Sequence, residues 1–335
     1  MYQDFGTLTL KTGEKVNIGA VVAPDAEWKD RLVTLLTHKG GIWNWQNAEV
    51  LGRDVGTEVR FYVVHRDGAP ISNILIAEHR GVGILGHVFT RPEERKKGSM
   101  GQLMARQMDD FRARGGQALF LGTGFDSHPY HMYASFGFRG IEDKSGYMEY
   151  YSASKEEFEG HYFARGKAEV MEANWTHWPA SPALFMADVP GKVRCAPMRL
   201  LGRVSTEGSF LFLLKAEAER KAAGKNLQAR VLQSKRTGAV VGLAVYDWHP
   251  LWPDTCLMDV YCHPNYWRRA GEMLEALSAP PADRCVAYGD PECPAKNRVL
   301  RRVGFRKVAA FRQRIAADRA KTGFVDVIEL ERRTT

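Results

Sequence analysis

Short runs of apolar residues alternate with amphipathic stretches along the first half of the chain. Residues 59–64 and 71–78 are rich in β-branched side chains and flank the turn dipeptide Asp67-Gly68, so they predict a β-hairpin. Residues 84–90 predict the next strand. A long helix is predicted after Pro92 by apolar positions at helical spacing, namely Met100, Leu103, Met104, Met108 and Phe111. Other strands are predicted at residues 8–10, 16–22, 118–121 and 147–151, and other helices at residues 25–39 and 128–136.

The second half repeats this order of elements. Residues 229–232 and 240–246 predict a hairpin, and residues 256–261 predict the strand that precedes His263-Pro264. A helix is predicted to run from there to Pro280-Pro281, followed by a strand at residues 285–288 and a helix that ends at Gly304. Pro92 and Pro264 lie 172 positions apart, and Gly137 and Gly304 lie 167 apart. This nearly constant offset indicates an internal repeat.

The expected fold class is α/β, with two tandem domains that each contain a central mixed β-sheet flanked by helices. The first domain is placed at residues 1–152 and the second at residues 193–335. Residues 153–192 are expected to form a connector. Because this segment contains Trp175, His177 and Trp178, it is expected to pack at the domain interface rather than to act as a flexible linker. The same three side chains could instead line a substrate pocket.

Composition narrows the classes of function. Hydrophobic residues make up 44% of the 335 residues, which is enough for folded cores, and no apolar run is long enough to span a membrane. The N-terminus shows no secretion signal, so the cytoplasm is the expected location. Five cysteines, an odd number, favour reduced and buried thiols. The spacing of Cys256, Cys262 and His263 fits no standard zinc site, so no metal is expected.

The charge balance is positive. The formal net charge is +8 and the pI is about 9.2, which is mild for this length and leaves open a nucleic acid or a phosphate-rich small ligand. No zinc-finger spacing, no leucine zipper and no stripe of interleaved aromatic and basic residues is identified in the sequence. Neither nucleic acid nor membrane is therefore an expected partner.

Residues 81–86 match the Gly-x-Gly-x-x-Gly dinucleotide fingerprint by letter. That fingerprint has to run from a strand into a helix whose N-terminus receives the pyrophosphate. Here the residues join two predicted strands, so the match is attributed to chance.

A stronger candidate for anion binding stands between a predicted strand and the long helix. Arg95, Lys96 and Lys97 are three consecutive cations, and Gly98 and Gly101 follow them. A pyrophosphate is stabilised by cations, by the free N–H groups at a helix N-terminus and by glycines that allow close approach. An ordinary basic start of a helix is the alternative interpretation.

A second motif follows downstream, where Tyr133 lies four residues before Gly137-Phe138 and seven residues after Asp126. Together with Arg95-x-x-Gly98, it resembles the GNAT superfamily of acyl-CoA N-acyltransferases. That family has a Gln/Arg-x-x-Gly-x-Gly/Ala loop after its fourth strand and a tyrosine four residues before a Gly-Phe pair. Met100 departs from the loop pattern, because a small residue is usual at its position.

The resemblance covers about residues 15–151 and implies that acetyl-CoA or another acyl-CoA is the cosubstrate. It implies that backbone groups of Val88 and Thr90 bind the pantetheine arm and that an N–H near Val88 polarises the thioester carbonyl. It also implies that Tyr133 protonates the departing thiolate, with a packed core tyrosine as the alternative. The implied cosubstrate-binding residues are Val88, Phe89, Thr90, Arg95, Lys96, Lys97, Gly98, Ser99, Met100, Gly101, Asp126 and Tyr133.

The sequence leaves the general base open. The candidates are Glu78, His87, His128 and His131. Strand alternation puts His87 on the face opposite to Gly86 and Val88, and His131 is expected to point away from the tyrosine two positions along the same helix. An ordered water could also carry the amine proton away.

The second half resembles the same fold in a degenerate form. Trp267, Ala270 and Leu300 stand at the positions of the loop arginine, the loop glycine and the tyrosine of the first half. Only the first domain is therefore expected to catalyse a reaction, as in tandem-GNAT acyltransferases.

The expected function is an acyl-CoA-dependent N-acyltransferase, with acetyl as the leading choice of acyl group. It would move the acyl group from the CoA thioester to a primary amine of a small molecule or peptide by direct attack. One alternative is a tRNA-dependent aminoacyl transferase of the tandem-GNAT type, a class that generally lacks the pyrophosphate loop. Another is a non-catalytic sensor that binds acyl-CoA.

Overall fold

Two β-sheets organise the computed structural model, which describes residues 1–278 and 281–333. The first sheet belongs to a unit that comprises residues 1–139 and 146–155. The second sheet belongs to a unit that comprises residues 140–145 and the chain from residue 156 onwards. Both sheets are mixed and flanked by helices, which confirms the expected fold class.

The first unit is built around an eight-stranded sheet. Its elements in chain order are β1 (Tyr2–Thr9), β2 (Lys15–Val22), α1 (Ala26–Leu36), α2 (Gly41–Gly52), β3 (Glu58–Arg66), β4 (Ala69–His79), β5 (Val82–Thr90), α3 (Ser99–Ala113), β6 (Ala118–Gly122), α4 (His128–Ser135), β7 (Arg139–Gly140) and β8 (Tyr147–Tyr151). The strand order is β1-β2-β3-β4-β5-β6-β8-β7, and β5 and β6 are parallel.

The apolar stripe predicted for the long helix faces the core. Leu103, Met104, Met108 and Phe111 of α3 are buried against β3 and β4, while Met100 is only half buried. The helix begins at Ser99, later than its predicted start after Pro92. Lys96 and Gly98 have positive φ angles, 64° and 86°, and such left-handed residues do not continue a right-handed helix.

β5 separates from β6 after a short stretch of pairing. Only Val82–Ile84 of β5 pair with β6, whose partners are Ala118–Phe120, although β5 continues to Thr90. On its other side, β5 stays paired with β4 but contains a bulge, because the register shifts around His87, where φ is 52°. The end of β5 therefore has backbone groups on one edge that no strand occupies.

The second unit contains a seven-stranded sheet. Its elements in chain order are α5 (Lys155–Tyr162), β9 (Ala168–Glu172), α6 (His177–Met186), β10 (Val193–Cys195), β11 (Leu200–Leu201), α7 (Glu207–Ala222), β12 (Ala229–Ser234), β13 (Val240–Trp248), β14 (Thr255–Cys262), α8 (Ala270–Glu275), β15 (Arg284–Gly289), α9 (Pro294–Arg302), β16 (Arg306–Ala316) and β17 (Phe324–Arg333). The strand order is β16-β17-β15-β14-β13-β12-β9, with β14 and β15 parallel.

The segment expected to be a connector at residues 153–192 is largely part of the second unit. Its strand β9 pairs antiparallel with β12 and forms an edge of the second sheet. The aromatic residues of α6 pack inside the same unit: Trp178 is fully buried, and its indole Nε1 donates a hydrogen bond to the Glu207 carbonyl at 2.9 Å. Sequence periodicity alone does not show that a short segment completes a distant sheet.

Other differences from the predicted elements are local. α2 follows Gly40, where a helix was expected to end, and α7 was not predicted. The predicted helix before Pro280-Pro281 ends earlier, at Glu275, and Pro280 lies outside the described residues. All five cysteines are buried, and none of them forms a disulfide in the described part of the chain. Among the described residues, no helix is long and apolar enough to cross a membrane.

Candidate functional site

A groove of about 730 Å³ lies in the first unit where β5 leaves the sheet and α3 begins. Its walls come from the end of β5, the segment before α3, the first turn of α3 and one side of α4. Most of the cosubstrate-binding residues named from the sequence line it, namely Val88, Phe89, Thr90, Arg95, Lys96, Gly98, Ser99, Met100, Gly101 and Tyr133.

One end of the groove can hold an anion. The N-terminal turn of α3 has N–H groups without helical acceptors, and Gly98 caps it with φ at 86°. A Cβ on Gly98 would lie 3.3 Å from the Lys11 side chain, so a larger residue would be both strained and crowded. Arg95 is held beside this turn, because its Nε donates to the Thr90 carbonyl at 3.2 Å.

One of the residues assigned to this loop behaves differently from the expectation. Lys97 does not line the groove; its Nζ donates to Glu94 at 3.0 Å. Glu94, which itself lines the groove, is also bonded by Arg66 at 3.3 Å, so Lys97 belongs to an ion-pair cluster beside the loop. Because the backbone at Lys96 is left-handed, the side chains of Lys96 and Lys97 point in different directions from those of consecutive residues in the first turn of a regular helix. Two of the three consecutive cations therefore reach the groove.

Lys11 is a groove residue that sequence reasoning missed. It lies in the turn between β1 and β2, and its backbone N–H donates to the Lys97 carbonyl at 2.9 Å. Gln102 fastens the same hairpin to α3, because its Nε2 donates to the Thr9 carbonyl at 3.0 Å. No local signal identifies Lys11, since its partners lie more than 80 positions away in the sequence.

Three hydroxyl groups connect the elements beneath the groove. The Ser72 hydroxyl lies 3.0 Å from the Thr90 hydroxyl and 3.0 Å from the Ser99 hydroxyl. These contacts join β4, the end of β5 and the first turn of α3. The start of the helix is thereby fixed relative to the free edge of β5.

Tyr133 lines the groove from α4. It is 7% exposed, and its ring packs on Phe138 at a centroid distance of 6.0 Å, so the backbone turn of the Gly-Phe pair positions it. His131 points away, as expected, and its Nε2 lies 2.9 Å from an Asp126 oxygen at the surface. Asp126 does not line the groove, contrary to the expectation for a cosubstrate contact.

His87 is buried on the other side of β5. Its ring meets Trp43 of α2 edge-on at 5.6 Å, and Asn73 Nδ2 donates to its carbonyl at 3.1 Å. Burial lowers the pKa of His87 to about 3, with smaller contributions from Lys39 and His38, so the ring is neutral at pH 7. Val88 lines the groove, so His87 faces the side opposite to Val88, as strand alternation predicted, even though a bulge shifts the register here. His87 does not line the groove and is a poor base near neutral pH.

Glu78 lies at the opposite end of β4 from the groove. Its carboxylate is paired with Arg114, which also bonds Asp110 at 2.9 Å and Glu58 at 3.1 Å. Burial is the largest influence on Glu78 and raises its pKa despite the nearby guanidinium. This cluster borders a separate polar cavity of about 450 Å³. The structure therefore does not bring Glu78 together with Tyr133.

The counterpart positions in the second unit lack the anion-binding features. β14 also leaves β15 early, since only Thr255–Leu257 pair with it. Trp267 lies in a 3-10 turn, the acidic Glu272 that follows is paired with Arg269, and Leu300 is fully buried. A carboxylate at the start of this helix opposes a phosphate electrostatically.

Residues 77–141 match a family model described as an acetyltransferase (GNAT) domain. This segment includes β5, α3, β6 and α4, and therefore most of the groove. No curated protein matches the chain.

Solved structures that are similar to the chain include three bacterial enzymes. Ribosomal-protein-alanine N-acetyltransferase from Brucella melitensis is 16% identical, with 50% of this chain and 99% of that chain covered and a TM-score of 0.35. A GNAT family acetyltransferase from Bacillus anthracis is 15% identical, with coverage of 50% and 95% and a TM-score of 0.34. yncA from Salmonella typhimurium, described as an acetyltransferase with its cofactor acetyl-CoA, is 17% identical, with coverage of 50% and 94% and a TM-score of 0.36.

Proposed function

Because residues 77–141 carry an acetyltransferase domain of the GNAT type, we propose that the chain is an acyl-CoA-dependent N-acyltransferase. Acetyl-CoA is the proposed donor, and a primary amine of a small molecule or peptide is the proposed acceptor. The observation that carries the proposal is that the free edge of β5, the N-terminus of α3 and Tyr133 all border one groove. The buried cysteines, which form no disulfide among the described residues, support a reducing location such as the cytoplasm.

The groove suits the chemistry of CoA. Arg95, Lys96 and Lys11 place cations at the end where α3 begins, which would hold the pyrophosphate, and Met100 and Met132 contribute apolar wall beside it for the pantetheine arm. The unoccupied edge of β5 beyond Ile84 offers backbone groups to the amides of that arm. The left-handed Gly98 lets the phosphates approach the backbone closely.

The proposed reaction has one covalent exchange. The nitrogen of a neutral amine forms a bond to the thioester carbon while the carbon–sulfur bond breaks. A backbone N–H near Val88, beside the bulge, would stabilise the negative charge on the carbonyl oxygen. Tyr133 would give its hydroxyl proton to the departing thiolate and recover one from solvent. Of the four candidate bases, His128 is the one that lines the groove, so the amine would release its surplus proton to the His128 ring or to water.

Calorimetric titration with acetyl-CoA tests the first requirement of this proposal. We expect binding at one site with a dissociation constant in the micromolar range. If desulfo-pantetheine fragments, which lack the pyrophosphate, bind more weakly than acetyl-CoA, the difference measures how much the pyrophosphate contributes to the affinity. Absence of heat with acetyl-CoA and with longer acyl-CoAs, for protein that is folded by circular dichroism, would refute the proposal.

Glu78→Gln provides a separate test of the assignment. The amide keeps an acceptor for Arg114, and the side chain lies away from the groove, so we expect the turnover number to stay within about twofold of the wild type. A general base typically contributes about 100-fold or more to the rate. A loss of that size, with acetyl-CoA affinity unchanged, would show that Glu78 carries the amine proton after all.

A further inference from the structure

The positive charge of the chain is concentrated in one segment. Residues 293–317 contain eight lysines and arginines and no aspartate or glutamate, while the whole chain has a net charge of +8. The rest of the chain is therefore neutral overall. This segment forms α9 and β16 of the second unit, so it lies outside the domain to which the proposed function belongs.

Most of these cations are available to a partner. Lys296 is fully buried and paired with Asp259 at 2.6 Å, so it belongs to the core. The other seven are exposed and form no ion pair with any described residue; they are Arg298, Arg301, Arg302, Arg306, Lys307, Arg312 and Arg314. Together with their connecting residues we call these seven side chains the basic edge.

Four of the seven cations, Arg306, Lys307, Arg312 and Arg314, lie on β16, the outermost strand of the second sheet, and the other three lie on α9. β16 pairs only with β17 in the described part of that sheet, so its other edge has unpaired backbone groups. Arg306 and Ile315 pair with Glu331 and Val325, which lie six positions apart on β17, so at about 3.3 Å per residue the cations of β16 extend over roughly 20 Å. Cations spread over such a length cannot converge on one phosphate. They suit a partner with many regularly spaced negative charges.

Exposed apolar side chains are interleaved with these cations, contrary to the expectation from the sequence. Val308 is 52% exposed, Phe311 is 39% exposed and Phe324, on the neighbouring strand, is 51% exposed. Phe311 directly precedes Arg312, and Phe324 lies opposite Ala316. Aromatic faces beside cations can stack on bases while the cations contact phosphates.

Glu142 and Asp318 border the same cavity as Arg314, and the other acidic groups near the basic edge lie on β17. Asp326 accepts a hydrogen bond from the Gln313 N–H, and Glu331 is 3.7 Å from Arg284. Glu329 lies opposite Ala309. All three carboxylates are partly buried, whereas the seven cations are exposed. The outer side of β16 therefore keeps its positive character.

We propose that the basic edge binds single-stranded nucleic acid. Neighbouring strand residues point to opposite faces, so Arg306 and Lys307 present charge on both faces of β16. A flat lipid surface would meet only one of these faces, whereas a flexible strand can follow the edge and contact both. The exposed phenylalanines supply stacking that a lipid headgroup does not need. This inference does not depend on the proposed acyl transfer.

Fluorescence anisotropy with labelled oligouridine of about 20 nucleotides, longer than typical site sizes of single-strand binders, tests the proposal. Oligothymidine of equal length distinguishes RNA from DNA. We compare the wild type with Arg306→Gln/Arg312→Gln/Arg314→Gln. The matched control is Lys167→Gln/Lys225→Gln/Arg268→Gln, which removes three exposed cations elsewhere in the second unit.

The basic-edge variant is expected to weaken binding at least about tenfold and to reduce the slope of log affinity against log salt by roughly 2, because each neutralised phosphate contributes about 0.7 for single strands. The control should bind as the wild type does. Phe311→Ser should weaken binding by roughly tenfold through lost stacking. Acetyl-CoA affinity, measured on the same variants, should stay unchanged, which separates this proposal from the proposed function.

Three results would overturn the proposal. The first is the absence of binding to either oligonucleotide at about 50 mM salt, where electrostatic binding is strong. The second is an equal loss in the control variant, because binding would then follow net charge rather than the edge. The third is capture of phosphatidylserine vesicles, abolished in the basic-edge variant, without nucleic acid binding, since this would assign the surface to a membrane.

Discussion

Replacement of Tyr133 by phenylalanine is expected to lower the turnover number by about 100-fold or more while the affinity for acetyl-CoA stays within about twofold. The ring lines the groove from α4 and packs on Phe138, and both features persist in the variant. Only the hydroxyl is removed, so the thiolate has to leave without a positioned proton donor. Turnover is measured as thiol release with a saturating amine, and affinity by calorimetry.

Tyr130→Phe is the matched control for this prediction. Tyr130 lies on the same helix, is half buried and packs against Phe125, but it does not line the groove. We expect it to keep the wild-type rate. If Tyr133→Phe also keeps the full rate, then the tyrosine is a packing residue and the proposed proton donor is wrong.

The second large effect concerns the anion end of the groove. Arg95→Ala/Lys96→Ala should raise the dissociation constant for acetyl-CoA by about 100-fold or more, because each hydrogen bond from a charged group contributes about 1.5–3 kcal/mol. Arg95 is held beside the start of α3 by its bond to the Thr90 carbonyl, so it is positioned before the cosubstrate arrives. The loss should shrink as salt increases, because added ions weaken the same interactions in the wild type.

Lys97→Ala separates this explanation from a general effect of positive charge. Lys97 is adjacent in sequence, but its Nζ bonds to Glu94 and it does not line the groove. We expect the affinity for acetyl-CoA to change by less than about fivefold, since a charge that is exposed or paired outside the groove contributes little to binding. An equal loss in Lys97→Ala and in the double variant would mean that the three cations act only through net charge.

The strongest sequence patterns predicted the fold because each depends on neighbouring residues. The helical stripe of α3 and the Asp67-Gly68 turn between β3 and β4 are local signals, and both are present as expected. α2 was missed because Gly40-Gly41 suggested the end of a helix and because its buried side includes Gln46 and Asn47. Polar residues at core positions hide a helix from a search for apolar periodicity.

Only the parts of the site that carry a sequence motif were predictable. The loop before α3 was found from its cations and glycines, and Tyr133 from the resemblance to the GNAT superfamily. Which cation enters the groove was not, because it depends on the left-handed backbone at Lys96. The bulge at His87 was not predictable either, although His87 does face away from the groove that Val88 lines, as strand alternation predicted. Lys11 reaches the groove through a tertiary contact with the Lys97 carbonyl.

The central claim is that the groove transfers an acyl group from CoA to an amine. The most direct measurement follows thiol release from acetyl-CoA in the presence and absence of a mixture of primary amines, with products weighed by mass spectrometry. We expect amine-dependent thiol release and a product that is heavier than one of the amines by one acetyl group. Both should be lost in Tyr133→Phe. Tight binding of acetyl-CoA without amine-dependent thiol release for any amine would contradict the proposed enzymatic activity and identify the chain as an acyl-CoA-binding sensor.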